Sequence, residues 1–277
     1  MSVFGVFGLL VSRLAEVLDP VFAASATAVA IVVFTVLVRV AMHPLTRAAF
    51  RGERARAALA PRLAELKRRH PGPKNADRLQ KAVLDLHAEA GTSPLAGCLP
   101  MLVQLPVFFV MYRVFSSGKV DGEVNGLLGE ELFGAPLGGT WGDALGDGGL
   151  LGARGLVFLG LFAAIAAVAA WTVLRARRAM AAGNGPVLPI AGGAGRKGAA
   201  GSGADEPGAA VMRRMVKVMP LMAFGTLVTA AVVPLAAGLY LLTTTAWTAG
   251  ERAWLQYRWA KREEGKSGEK EKAGIGA

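Results

Sequence analysis

VFAASATAVAIVVFTVLVRVAMHPLTR, residues 21–47, decides how the rest of the chain is read. Its apolar run, Val21 to Val38, is close to the ~20 residues that a helix needs to cross a ~30 Å hydrocarbon core. Arg39 interrupts the end of that run, and a strongly basic segment begins at Arg47. A charge held within a bilayer costs at least ~2.5–3.5 kcal/mol on insertion scales, so it usually marks a pathway or a binding site. A long arginine side chain can also reach back to the interface. On this stretch alone both readings of Arg39 stay open.

Composition sets the class. A chain of 277 residues, 53% hydrophobic with a mean hydropathy of +0.42, is a polytopic membrane protein by these measures. Further apolar stretches of near-bilayer length are Leu95–Tyr112 and Gly155–Leu174, and Val218–Gly250 holds 33 residues without a charge. One helix of that length would reach about 50 Å at ~1.5 Å per residue, well beyond the hydrocarbon core. Either it is one overlong span or it is two short ones.

Charge placement selects between them. Of 31 Lys and Arg residues, eleven fall in 47–90, eight in 175–217 and seven in 251–272. The segment 116–154 instead sets Lys119 and Arg154 against Asp121, Glu123, Glu130, Glu131, Asp143 and Asp147. The positive-inside rule puts the three basic segments in the cytoplasm and the acidic one outside. Basic flanks at both ends of Val218–Gly250 then require an even number of crossings, with Pro234 marking the turn. The expected fold is all-α, with five transmembrane helices around a hydrophilic groove plus a cytoplasmic helical hairpin.

The spans are expected at 21–46, 94–115, 155–174, 218–233 and 234–250. Between and around them lie an outer interfacial helix (1–20), the cytoplasmic hairpin (47–93), an outer loop (116–154), a cytoplasmic loop (175–217) and a cytoplasmic tail (251–277). The N-terminus is expected outside and the C-terminus inside. Each of the last two spans is short, ~16 residues or about 24 Å, which implies a thinned bilayer or shelter by protein.

Residues 2–18 alternate Val3, Val6, Phe7, Leu10, Leu14 and Val17 with a small or polar stripe (Gly5, Ser12, Arg13, Glu16) at helical spacing, until Asp19-Pro20 breaks the pattern. This is the pattern of an amphipathic helix in the outer interface; the rival is a signal anchor, but there is no basic n-region and no lipobox cysteine. In 47–90, Leu59, Leu63 and Leu66 and then Leu79, Val83 and Leu86 repeat at helical spacing around Pro71-Gly72-Pro73, with Pro61 suited to the first turn of a new helix. Two antiparallel helices with a basic surface are expected there, the alternative being a solvated loop that only enforces topology. Residues 181–210 and the tail 261–277 carry no helical period and are expected to be disordered. The outer loop is Gly-rich, with a short ordered piece expected at Leu127–Phe133.

Chemistry by residue type is mostly negative. None of the expected spans contains Asp or Glu, so an intramembrane aspartyl protease or a carboxylate relay has no candidate. Cys98 is the only cysteine, and His43, His70 and His87 form no nucleophile or metal-ligand spacing. No enzyme activity, metal or cofactor is expected. The polar residues of the spans are Arg39, Gln104, Thr226, Thr229, Tyr240 and Thr243–Thr245. Gln104 can bond a carbonyl freed by Pro100 or Pro106, and threonines commonly bond their own helix. A shared hydrated cavity open to the cytoplasm is the economical way to keep Arg39 and Gln104 satisfied.

Three blocks carry a resemblance: RVAMHPLTRAAF (39–50), LAPRLAELKRRH (59–70) and AGTSPLAGCLPMLVQLPVFFVMYRVF (90–115). Together they resemble the YidC/Oxa family of membrane-protein insertases. That family shows an arginine near the cytoplasmic end of its first core span, then Pro-Leu, then a helical hairpin. Its second core span opens with a Gly-Cys-Leu-Pro signature, here Gly97-Cys98-Leu99-Pro100, followed by Gln104, Pro106, Phe108-Phe109 and Tyr112-Arg113. Pro234, Leu239-Tyr240, Thr243 and Trp247 match a family-like pattern in the last span. Ser93 stands where asparagine is usual, His87 where tyrosine is common, and Leu241 and Thr245 where Trp and Asn are frequent.

The resemblance implies an insertase or chaperone whose groove, open to the cytoplasm, draws in the short polar tail of a substrate and releases its apolar segment to lipid. The implied groove residues are Arg39, Gln104, Tyr240 and Thr243. The basic hairpin, with Arg54, Arg62, Lys67, Arg68 and Arg69, would meet substrates or partners. Expected partners are newly made membrane proteins and the lipid bilayer, with the Sec translocon and the ribosome as further candidates and no specific nucleic-acid recognition. A non-inserting assembly scaffold and a small-anion transporter are the alternatives.

Overall fold

The computed structural model describes residues 3–70, 75–91, 99–120, 122–181 and 224–275, and the chain there is almost entirely helical. The helices are α1 (Val3–Phe22), α2 (Ala26–Arg69), α3 (Ala76–Glu89), α4 (Leu99–Ser116), α5 (Trp141–Gly146), α6 (Ala153–Ala181), α7 (Gly225–Val232) and α8 (Leu235–Ile275). Two stretches, Phe4–Leu59 and Ala153–Ala179, are long and apolar enough to cross a membrane, and Leu105–Ser116 is a shorter apolar helix. Residues 182–223, which include most of the expected disordered loop and the start of the fourth expected span, lie outside the described residues, as do Ser93–Cys98 and Pro71–Lys74.

α2 is 44 residues long and α8 is 41, so at ~1.5 Å per residue each extends about 60–65 Å, twice the depth of a hydrocarbon core. Neither stops where the sequence suggested. α2 runs unbroken through Pro44 and Pro61 to Arg69, so Pro61 does not start a new helix. Good helix formers flank it (Ala57, Ala58, Leu59, then Arg62, Leu63, Ala64, Glu65), and Pro61 is exposed. These neighbours offset a ring that in an isolated helix interior costs ~3 kcal/mol. α8 likewise continues through 261–275, where disorder was expected. Nucleation is the costly step in helix formation, and here it is already complete upstream, so the Glu, Lys and Ala of the tail only propagate a helix.

α1 departs from expectation in two details. It runs through Asp19-Pro20 to Phe22, and the break falls at a 3₁₀ turn, Ala23–Ser25, with Ala23 in the left-handed region (φ 43°). Its inward stripe is Phe4, Phe7, Val11, Leu14, Ala15 and Leu18, while Val6, Leu10 and Val17 from the predicted apolar stripe are exposed. The helix folds back along α2 and α4, with Phe7 edge-on to Phe34 at 5.7 Å and Phe4 against Phe109 at 6.1 Å. α3 packs against α2 and buries Leu86.

The segment between α4 and α6 is ordered well beyond the short piece anticipated. Two small antiparallel pairs, β1 (Lys119–Val120) with β2 (Glu123–Val124) and β3 (Glu131–Leu132) with β4 (Ala135–Pro136), flank a 3₁₀ turn at Gly126–Leu128. Phe133-Gly134 joins β3 to β4 with both φ positive (51° and 81°), the two-residue geometry that suits the twist of a hairpin. Asn125 donates to the carbonyls of Val114 (2.8 Å) and Ser117 (3.0 Å), satisfying the end of α4. Gly139 and Leu137 carbonyls accept from the first N–H groups of α8, Leu235 and Ala236, each at 2.9 Å. Phe115, Leu137, Phe158 and Leu235 are fully buried where this segment meets the helices, so this end of the bundle is closed by a packed core.

Candidate functional site

Away from that core, α2 and α8 run side by side in the same direction. The pairings His43–Glu251, Phe50–Trp259 and Arg54–Glu263 keep a nearly constant offset between the two chains, which is the mark of parallel helices. His43 Nδ1 lies 2.5 Å from Glu251 Oε1, the Phe50 and Trp259 rings are 6.5 Å apart, and an Arg54 nitrogen is 3.9 Å from Glu263. Arg252 adds a contact to Glu53 at 3.3 Å.

The expected groove residues resolve unevenly on this frame. Arg39 is half-buried on α2, one helical turn before His43, and its guanidinium interacts electrostatically with Tyr240 and Glu251. At ~1.5 Å per residue Arg39 sits about 20 Å along α2, within the helix and well before its end at Arg69. Tyr240 is buried and lies among Phe108 (6.1 Å) and Phe115 (6.2 Å). Thr243 donates its hydroxyl to the Leu239 carbonyl at 2.8 Å, so it is bonded within its own helix. Gln104 lies in α4, and its side chain is outside the described residues.

α8 aligns polar groups that the sequence reading had not joined, and adds Glu251, which it missed. Tyr240, Thr244, Trp247 and Glu251 recur at four-, three- and four-residue steps, so they share one stripe of the helix. The Thr244 hydroxyl and the Trp247 indole N–H are buried without a hydrogen-bond partner among the described residues. Buried polar groups left unpaired by protein are places where water or a polar ligand belongs. Glu251 is the first residue after the uncharged run and reads in sequence as the start of the tail, yet its side chain is only 5% exposed. His43, which fell in no nucleophile or metal-ligand spacing in the sequence, is its partner, and the His43 ring stands 5.7 Å from that of Trp254. The signal for both was helical phase: Glu251 falls eleven residues after Tyr240, and His43 four after Arg39.

The basic hairpin residues do not converge on this stripe. Arg54 lies over the rings of Phe50 (5.5 Å) and Trp259 (5.9 Å), Arg62 and Arg68 are exposed, Arg69 pairs with Glu65, and the side chain of Lys67 is outside the described residues. Nearer the packed end, an apolar cavity of about 570 Å³ opens between α6 and α8, lined among others by Phe133, Leu156, Leu161, Leu235 and Leu239. Among the described residues no group of His, Cys, Asp and Glu could hold a metal ion.

The geometry is that of a helical bundle closed at one end and polar toward the other, with a lone arginine at the junction. Residues 18–262 match the family model described as 60Kd inner membrane protein, and the chain belongs to that family, the YidC/Oxa family of bacterial inner-membrane proteins. Relatives include the membrane protein insertase YidC of Granulibacter bethesdensis, 41% identical over 86 residues (31% of this chain, 14% of that protein). The insertases of the same name from Pelagibacter ubique and Parabacteroides distasonis are 40% identical over 85 residues and 34% over 87, each covering 31% of this chain. These matches cover 15% and 14% of those proteins, so the aligned region is about a seventh of each relative.

Proposed function

We propose that this protein is a membrane-protein insertase and chaperone that works from the Arg39 stripe. The observation that carries the reading is the position of Arg39: a half-buried cation where the apolar run of α2 ends, facing a line of buried polar groups on α8, two of which have no partner among the described residues. A charge so placed needs water around it, and a groove open at that level supplies it. The packed core of Phe115, Leu137, Phe158 and Leu235 closes the opposite end.

In this reading five spans enclose the groove, with the N-terminus outside and the C-terminus cytoplasmic. The short, polar extracytoplasmic tail of a newly made membrane protein enters the hydrated groove from the cytoplasm, where Arg39 lowers the desolvation cost of its carboxylates. The substrate's apolar segment then leaves sideways into lipid past the apolar cavity between α6 and α8. Hydrophobic transfer at roughly 25 cal/mol per Å² drives that step without nucleotide hydrolysis. The basic surface of α2 and α3 receives substrates, and the Sec translocon and the ribosome are partners consistent with it.

Glu251 changes one part of this account. A buried carboxylate that is paired with His43 and acts electrostatically on Arg39 supplies the candidate that a carboxylate relay lacked in the expected spans. The closed, apolar end of the bundle still opposes a solute path through it. The test is insertion of a short-tailed, single-span substrate into proteoliposomes containing only this protein, as wild type, Arg39→Ala and Arg39→Lys. Insertion by wild type and Lys but not Ala is expected. Equal insertion by all three would reduce Arg39 to a structural flank, and substrate binding without insertion above empty liposomes would point to a scaffold.

A further inference from the structure

Beyond the Arg39 stripe, the parallel pair of α2 and α8 holds a second site that the insertase reading does not use. Arg47 and Arg51 on α2 and Arg258 and Arg262 on α8 line one small cavity together with Trp254, Leu255 and Trp259. Leu255 is buried at its base, and the Arg258 guanidinium lies 4.9 Å over the Trp254 ring. The lining holds four arginines and no carboxylate. The acidic side chains nearby are engaged elsewhere: Glu251 with His43, Glu53 with Arg252, Glu263 with Arg54. All four arginines are exposed, and an anion seated among them would relieve the repulsion between their like charges.

Size and depth identify the anion. The cavity is about 60 Å³, roughly the room of four to six waters at 10–15 Å³ each and therefore of one phosphate group. Its depth follows from what the helices expose. Leu37 and Val40 on α2, and Trp171 and Leu174 on α6, are exposed apolar residues, and each run gives way to arginines: Arg47 two turns and Arg51 three turns on along α2, and Arg175, Arg177 and Arg178 within about one turn on α6. Two separate helices thus change from lipid-compatible to basic, and Arg175 of α6 donates at 2.9 Å to Gln256 of α8, the residue after Leu255 in the cavity lining, which puts the two transitions and the cavity at a common level. Trp254 is part-exposed beside it, and tryptophan is enriched at the height of lipid headgroups. Arginine forks bind phosphate oxygens in pairs, and basic pockets between helices at a cytoplasmic surface accept anionic headgroups.

We propose that Arg47, Arg51, Arg258 and Arg262 form a site for the phosphate of one anionic phospholipid, which ties α8 to α2 at the cytoplasmic face. A bound lipid would clamp the two helices whose upper halves carry Arg39 and Glu251. The site rests on the membrane level just derived and not on the insertase mechanism, so failure of either leaves the other standing.

The experiment uses the full chain in nanodiscs of phosphatidylcholine with increasing phosphatidylglycerol, reading lipid retained by native mass spectrometry and thermal stability in parallel. Wild type should retain one phosphatidylglycerol per chain and gain stability with its mole fraction. Arg258→Gln/Arg262→Gln should bind it about 10–30-fold more weakly, the effect of two basic residues at an anionic surface. Arg177→Gln/Arg178→Gln, with the same charge change outside the cavity, should not. If the Gln pair fails to fold, Arg258→Lys/Arg262→Lys keeps the charge, loses the fork and should give an intermediate loss. Equal retention by the cavity and control variants would overturn the site. Stabilisation by inorganic phosphate in pure phosphatidylcholine, matching that by the lipid, would show a free-phosphate site and overturn the lipid assignment. Unchanged lipid retention with loss of ribosome or RNA binding in the cavity variants would overturn it in favour of a nucleic-acid partner.

Discussion

Glu251→Ala tests whether the contact between α2 and α8 is a structural hinge of the site. The Glu251 side chain is 5% exposed and that of His43 28%, with 2.5 Å between their bonded atoms. Removing one partner from a fully buried, hydrogen-bonded charge pair costs about 3–5 kcal/mol, because the other charge is stranded. His43 keeps part of its exposure, so the lower figure for a charge-assisted hydrogen bond applies, about 2–3 kcal/mol. At ~2–4 °C per kcal/mol, the melting temperature should fall by roughly 4–12 °C. Glu251→Gln keeps the shape and one hydrogen bond to a neutral imidazole, and should cost only about 1 kcal/mol. A double-mutant cycle with His43→Ala, followed by thermal unfolding in nanodiscs, isolates the pair. A coupling of about 1–2 kcal/mol is expected. Additive effects within ~0.5 kcal/mol, or a Glu251→Ala variant that melts with wild type, would refute the pairing as an energetic contact.

Two further outcomes follow from local geometry. A Cβ on Gly238 would meet only the end of the Leu161 side chain (2.7 Å), whereas one on Gly155 would meet the backbone carbonyls of Gly149 and Leu150 at 2.5 and 2.6 Å. Gly238→Ala should therefore be near neutral, its helix-propensity gain offsetting a small shift, while Gly155→Ala should cost about 1–3 kcal/mol in thermal unfolding. Asp143 accepts from the Thr140 backbone N–H and hydroxyl, each at 2.8 Å, and these bonds hold its carboxyl below the usual aspartate range. The cap thus contributes above the unfolded aspartate pKa of ~3.9 and is lost as pH falls through the lower folded value. A carboxyl NMR titration should place the Asp143 midpoint below ~3.9, with Thr140→Ala moving it part of the way back.

Hydropathy and charge asymmetry made the helices and their expected polarity legible, because burial in lipid leaves few ways to write a span. Arg39 stood out for the same reason: one charge in an apolar run has no averaging to hide in. Glu251 was hidden by its position, since the first acidic residue after an uncharged run reads as the end of a span. Only the continuous phase of α8 brings it onto the Tyr240 stripe. Phase also separates Thr244 from Thr243 within a run of three threonines, and the tail stays helical beyond residue 261 because it propagates a helix already nucleated upstream. The inward stripe of α1 was displaced by one position because Leu10 and Val11 are equally apolar, and only packing against Phe34 and Phe109 decides between such neighbours.

Placing Glu251 beside Arg39 alters what the arginine can do. A lone arginine in a groove would be a deep anion trap, and an acidic tail bound there would leave slowly. A carboxylate held by His43 and acting on Arg39 weakens that field without removing it. On the proposed insertase reading, the incoming tail would meet a cation already partly compensated, and its carboxylates would exchange with an existing interaction and not have to create a new one. Binding of that kind is strong enough to lower the entry cost and weak enough to permit release, which a passive carrier of polar tails requires. The uncompensated charge lies instead at Arg47, Arg51, Arg258 and Arg262, where the helices meet the headgroups and tight, static binding of an anion has structural use.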